Sequence, residues 1–201
     1  MDTSPRTRVA ALLTALAFTL ISCTAEDTAG PRQPDTPRAT DVQSPPSPTS
    51  FESERHSYHL KAPPGWEVAE YGGTWTNFKQ FSPGSEVPGE DVLSSPDGQG
   101  FLVANSMAIP NGMRPADWVS ELQRLVRSGR DPLCRETIRE DVVAGERAMI
   151  VEHRCTDMDV VGRSVTHGGR GYYFTIGFPA GDSTTAATLE GIVSSIRFVD
   201  R

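Results

Sequence analysis

Apolar side chains recur every three to four positions in two segments of the chain. In "RPADWVSELQRLVRSG", Trp118, Val119, Leu122, Leu125 and Val126 fall on one stripe of a helix. Pro115 suits its first turn and Gly129 its C-terminal cap. In "GDSTTAATLEGIVSSIRF", Leu189, Ile192, Val193 and Ile196 form a second stripe, with Asp182 or Ser183 as the natural N-cap. Elsewhere the period drops to two, the mark of strands. Tyr58 and Leu60 alternate before Pro63-Pro64-Gly65, Trp66 and Val68 after it, and "TWTNFKQF" predicts another strand beyond a Gly72-Gly73 turn. Residues 83–100 are rich in Gly, Pro, Ser and acid and read as a long surface loop. "GFLVANSMAI" is apolar on both faces, as a buried strand is. "DVVGRSVTHGGRGYYFTIGFP" predicts a hairpin turning at Gly168-Gly169.

The stretch "CRETIREDVVAGERAMIVEHRC" predicts a hairpin with a testable register. A two-residue turn at Ala144-Gly145 sets Val143 opposite Glu146, Ile138 opposite Val151, Glu136 opposite His153 and Cys134 opposite Cys155. The cysteines share a face with Ile138, Val142, Met149 and Val151. Counted from the turn, theirs is a non-hydrogen-bonded pair, whose Cα atoms lie about 4.5 Å apart, within reach of a disulfide. A Cys134–Cys155 bridge is therefore expected. It would close a loop of about 20 residues and contribute roughly 3 kcal/mol.

One apolar run fits neither period. Val9–Ile21 follows Arg6 and Arg8, as the core of an export signal follows its basic start. A membrane-crossing helix needs about 20 apolar residues, and this run is shorter. It ends in Leu20-Ile21-Ser22-Cys23, which resembles the bacterial lipobox. That resemblance implies cleavage before Cys23 and transfer of diacylglycerol to its thiol. Each buried CH₂ adds roughly 0.8 kcal/mol, so two or more acyl chains hold a protein at a membrane. Residues 1–22 are thus expected to be a lipoprotein signal peptide. Residues 23–55 hold six prolines and almost no bulky apolar side chain. They are expected to be a disordered, semi-stiff tether, reaching up to about 100 Å at roughly 3 Å per residue. Residues 56–201 remain for one α+β domain, an antiparallel β-sheet flanked by helices.

Composition narrows the partners. Lys plus Arg is 19 and Asp plus Glu is 26, a net charge of −7. That excess of acid argues against nucleic acid and against an electrostatic grip on anionic lipid. An exported domain also sits where disulfides persist.

"YHLKAPPGW", "VVAGERAMIVEH" and "GYYFTIGFPAGDSTTAATLEGIVSSIRF" together resemble the opening strand, mid-domain hairpin and closing strand–helix–(Ser-x-Arg-Phe) end of PsbP-like domains. The resemblance spans about 56–201. The order of lipobox, tether and domain is similar to actinobacterial secreted lipoproteins of the LpqN type. The resemblance implies an α/β/α sandwich and no shared catalytic residues. It points to a lipid-anchored, non-catalytic binding or accessory module on the extracytoplasmic face of the cell membrane. The expected partners are the membrane, through its anchor, and an envelope protein or small ligand, with no cofactor and no metal.

The alternatives are an envelope hydrolase or thiol-redox enzyme with an unrecognised site, or a purely structural accessory subunit, and the enzyme reading needs a reactive group. "GDS" at 181–183 resembles a lipase nucleophile motif, but no histidine follows it, and helix capping accounts for it. "GRSVT" at 162–166 lacks the last glycine of a nucleophile elbow. His153 lies two residues before Cys155 and could activate it, or Cys134, His153 and Cys155 could gather a metal together with Glu136. A disulfide removes both options. The Glu136–His153 pair reads as fold support. Tyr71, Trp75, Phe78 and Phe81 read as core before groove. His56, His59, Asp157 and Asp159 read as solvated surface.

Overall fold

The computed structural model describes residues 47–71, 75–78, 90–128 and 132–200. The expected export signal, Cys23, the expected Gly72-Gly73 turn, Phe81 and Gly129 lie outside the described residues. The folded chain starts earlier than composition indicates. β1 (Thr49–Ser53) falls inside the stretch assigned to the tether and pairs antiparallel with β2 (Tyr58–Ala62), Phe51 opposite Leu60. β10 (Arg197–Phe198) pairs on the other side of β2 and completes a three-stranded sheet.

Among the described residues the larger sheet has seven antiparallel strands. They are β3 (Glu67–Glu70), β4 (Asp91–Ser94), β5 (Phe101–Ala108), β6 (Arg135–Val143), β7 (Glu146–Arg154), β8 (Met158–His167) and β9 (Arg170–Pro179), in the order β3-β4-β5-β9-β8-β7-β6. Two differences from expectation stand out. β4 lies within the segment read as loop. The described part of "TWTNFKQF", residues 75–78, is not a strand. Trp75 is instead buried, and Phe78 packs beside it.

α1 (Pro115–Ser128) and α2 (Ser183–Ser194) form where the two stripes lie. The Asp182 carboxylate accepts from the Thr184 and Thr185 amides, satisfying donors the first turn leaves open. The two helices meet different sides of β9. Odd positions carry Tyr173 into a cluster with Trp118 and Leu122 of α1. Even positions carry Tyr172, Phe174, Ile176 and Phe178 into the larger core with Leu189, Ile192 and Val193 of α2 and with Tyr58 and Leu60 of β2. Alternation along one strand thus serves two clusters. Where Trp118 crosses β9 the strand has a glycine. A Cβ on Gly171 would sit 2.1 Å from the indole.

Some polar groups are buried in this core. The Tyr58 hydroxyl donates to Asp91 at 2.8 Å. Burial first, then the Asp91 charge, pushes its pKa well above the usual tyrosine value. His56 is not surface as expected. It is fully buried, with Nδ1 2.7 Å from the Ser106 hydroxyl, to which Arg170 also donates at 2.7 Å. Asp159 is buried too and accepts from Arg154 at 2.8 Å.

Candidate functional site

β6 and β7 pair in the expected register, with Val143 opposite Glu146 and Glu136 opposite His153. Ala144 (φ 52°) and Gly145 (φ 87°) both lie in the left-handed region, the signature of a type I′ turn. Cys134 and Cys155 form a disulfide across the open end, their Cα atoms 4.4 Å apart. Neither sulfur is then available as a nucleophile or a metal ligand. Among the described residues, no three His, Cys, Asp or Glu side chains converge as a metal site.

β6 is an edge strand, and α1 packs on β8 and β9. Beyond Glu136, the side chains of β6 that share a face with the cysteines therefore have little over them. Ile138 and Val142 are 40% and 61% exposed. Between this uncovered face and the flank of α1 runs a groove. One part, about 310 Å³, is lined by Ala116, Val119, Ser120 and Gln123 of α1 and by Ala148 and Met149 of β7. It is rimmed by the Arg147–Glu140 ion pair at 2.8 Å. The other part, about 550 Å³, continues past the same Ser120 and Gln123 to Arg127, Pro132 and Glu136.

The groove changes character along its length. At one end are a valine and a methionine. At the other, the Glu136 carboxylate is held between Arg127 at 3.1 Å and the His153 Nε2 at 3.2 Å. Glu136 is mostly buried, so both partners offset its desolvation. Gln123 lines both parts. Its Nε2 is buried and has no hydrogen-bond partner among the described residues. A donor placed so can take an acceptor from a bound molecule at no cost in lost internal bonds. The arrangement suits binding of an amphipathic segment.

Of the residues singled out from sequence, Cys134, Cys155, Glu136 and His153 come together at one end of this groove. Trp75 and Phe78 go to the core beneath α1, while Tyr71 is 57% exposed, and none of the three lines it. Asp182 caps a helix. Ser120, Gln123 and Arg127 were missed. They stand three and four positions apart beside the apolar stripe, a second face visible in the same helical period.

No family model matches the chain, and no curated protein matches it. Solved structures do. The solution structure of cyanobacterial PsbP (CyanoP) from Synechocystis sp. PCC 6803 matches with a TM-score of 0.52 and 14% identity, over 80% of this chain and 97% of that one. The fold is PsbP-like. A crystal structure of LpqN, described as involved in cell envelope biogenesis of Mycobacterium tuberculosis, has a TM-score of 0.47 and 13% identity, over 76% of this chain and 91% of that one. A crystal structure from Bacteroides thetaiotaomicron has a TM-score of 0.45 and 12% identity, over 76% of this chain and 48% of that one. At these identities the PsbP-like likeness is one of fold alone.

Proposed function

We propose that this protein is a membrane-anchored extracytoplasmic lipoprotein whose PsbP-like domain is a non-catalytic binding or accessory module of the cell envelope. In this reading residues 1–22 are removed on export, and Cys23 carries the acyl chains. The chain up to β1 spaces the domain from the membrane. The domain itself is a sheet flanked by helices on both faces, an α/β/α sandwich. The observation that carries the binding role is the groove between α1 and the uncovered face of β6 and β7. It offers apolar contact at Val119 and Met149 and an unmatched donor at Gln123. The Cys134–Cys155 bridge supports the extracytoplasmic placement, since such bonds persist in oxidising compartments.

The test uses the full chain in an actinobacterial host. Alkyne-tagged fatty acid should label the wild type and not Cys23→Ala. A benzophenone side chain at Val119 should give discrete crosslinked adducts on intact membranes, and one at exposed Ala187 of α2 should give none of the same size. Equal labelling of the two proteins would remove the anchor. Equal adducts from both positions, or none from Val119, would remove the groove as the binding face.

A further inference from the structure

Several arginines of this acidic domain are matched to carboxylates, for example Arg114–Asp117, Arg124–Glu121, Arg139–Asp141 and Arg154–Asp159. Among the described residues, three basic side chains on one face of the small sheet have no such partner. The register of the small sheet places Arg197 directly opposite His59, and Lys61 lies two residues on, along the same face of β2. Neither the His59 ring nor the Lys61 ammonium has an ion-pair or hydrogen-bond partner among the described residues. Lys61 is also one of only two lysines in the chain. Arg197 uses Nη1 to donate to the Ser194 and Ile196 carbonyls at 2.9 and 2.6 Å. That bond steers the guanidinium to the C-terminus of α2 and offsets the negative end of its dipole.

His59, Lys61 and Arg197 line one pocket of about 550 Å³, together with Ser50, Ser194, Ser195 and Gly191. The Lys61 amide donates to the Ser195 hydroxyl at 2.8 Å, which holds that side of the pocket to β2. Gly191 is the second observation. It lies inside α2, where glycine weakens a helix. Packing does not demand it, because a Cβ there would meet nothing within 4 Å. What the bare position leaves is open space in the wall of this pocket.

We propose that His59, Lys61 and Arg197 form a binding site for a phosphate group, with the Ser50 and Ser194 hydroxyls beside them. A tetrahedral oxyanion with several acceptor oxygens matches donors arriving from β1, β2 and the end of α2, and charge-assisted bonds to phosphate are the strong ones. The Glu52 carboxylate, opposite His59 on β1, is the acidic group facing the site, and it disfavours a ligand larger in that direction. The phosphate could be borne by a lipid headgroup or by a soluble phosphorylated molecule. The site is on the opposite side of the small sheet from the core and is independent of the α1 groove.

The test uses the full chain with Cys23→Ser, so that no acyl group contributes. Inorganic phosphate and glycerol 3-phosphate are titrated by calorimetry, and phosphatidylglycerol and phosphatidylcholine vesicles by flotation. Lys61→Ala and His59→Ala should each weaken phosphate binding at least fivefold with no change in melting temperature, since neither side chain holds another. Gly191→Leu should abolish it by filling the wall. Binding to phosphatidylglycerol vesicles that the variants lose assigns the headgroup source. Binding to the soluble phosphates alone assigns the other source. Absence of wild-type binding to every probe, or variants that bind as wild type does, would overturn the proposal.

Discussion

Ala144 adopts φ 52° beside Gly145 at 87°, a conformation that costs a residue with a Cβ roughly 1 kcal/mol. Asparagine bears that conformation better, and Asn-Gly is the favoured pair for this turn. Ala144→Asn should therefore stabilise the domain by about 0.5 kcal/mol or more, read from the urea midpoint at unchanged m-value. The opposite outcome is expected at Gly171, where a Cβ has no room beneath Trp118. Gly171→Ala should cost about 1–3 kcal/mol, because the indole must leave its seat on β9. His167 gives a pH dependence. Its Nδ1 is 2.9 Å from Glu146 and its Nε2 2.9 Å from Asp200, so it ties the β6–β7 turn to the chain end while stacked on Phe198. The Glu146 hydrogen bond first, then Asp200, raises its pKa above the ordinary histidine value of 6.5. A raised folded-state value means the stabilisation is fully present below about pH 6.5 and is lost as pH climbs through the folded value. His167→Gln should thus destabilise at pH 5.5 and do so less at pH 8.5. Equal losses at both would show that the ring acts by packing alone.

Elements whose information is local were legible in the sequence. The β6–β7 hairpin follows from its turn and from period two, and the helices follow from their stripes and the Asp182 cap. Elements defined by a distant partner were not. β10 is two residues long, and only its pairing with β2 makes it a strand. β4 hides in a segment rich in turn formers, and β1 in one rich in proline. Alternation puts Ile138 and Val142 on one face with the cysteines, and the pattern is sound. What it cannot tell is that β6 is the last strand and that α1 stops at β8. The groove was illegible for the same reason, because it is the space left by an edge. The disulfide bears on the whole hairpin. Replacing both Cys134 and Cys155 with alanine should cost about 3 kcal/mol. It should also loosen the wall of the groove at Glu136, which lies next to it. Hydrogen exchange at β6 amides in the double variant, faster than in the rest of the sheet, would report that loosening, and uniform exchange would argue against it.

At the scale of the molecule, the boundary between the expected tether and the domain is where composition and structure part. Proline density continues to Pro48, yet the chain joins the sheet at Thr49. Phe51 is the reason. It packs on the main core and meets the Tyr58 ring edge-on at 6.3 Å. A large side chain partly buried in this way contributes less than the roughly 1.5–3 kcal/mol of full burial, and it acts together with the backbone pairing of all five β1 residues to β2 against the entropy of ordering the segment. Two truncations separate the alternatives. A chain of residues 47–201 keeps β1 and should melt with the full chain carrying Cys23→Ser. A chain of residues 56–201, cut where composition draws the line, uncovers Tyr58 and leaves one edge of β2 unpaired. It should melt roughly 5–10 °C lower by circular dichroism, given about 2–4 °C per kcal/mol for a domain of this size. If the shorter chain melts with the longer one, β1 adds nothing to the fold, and the tether runs on to His56.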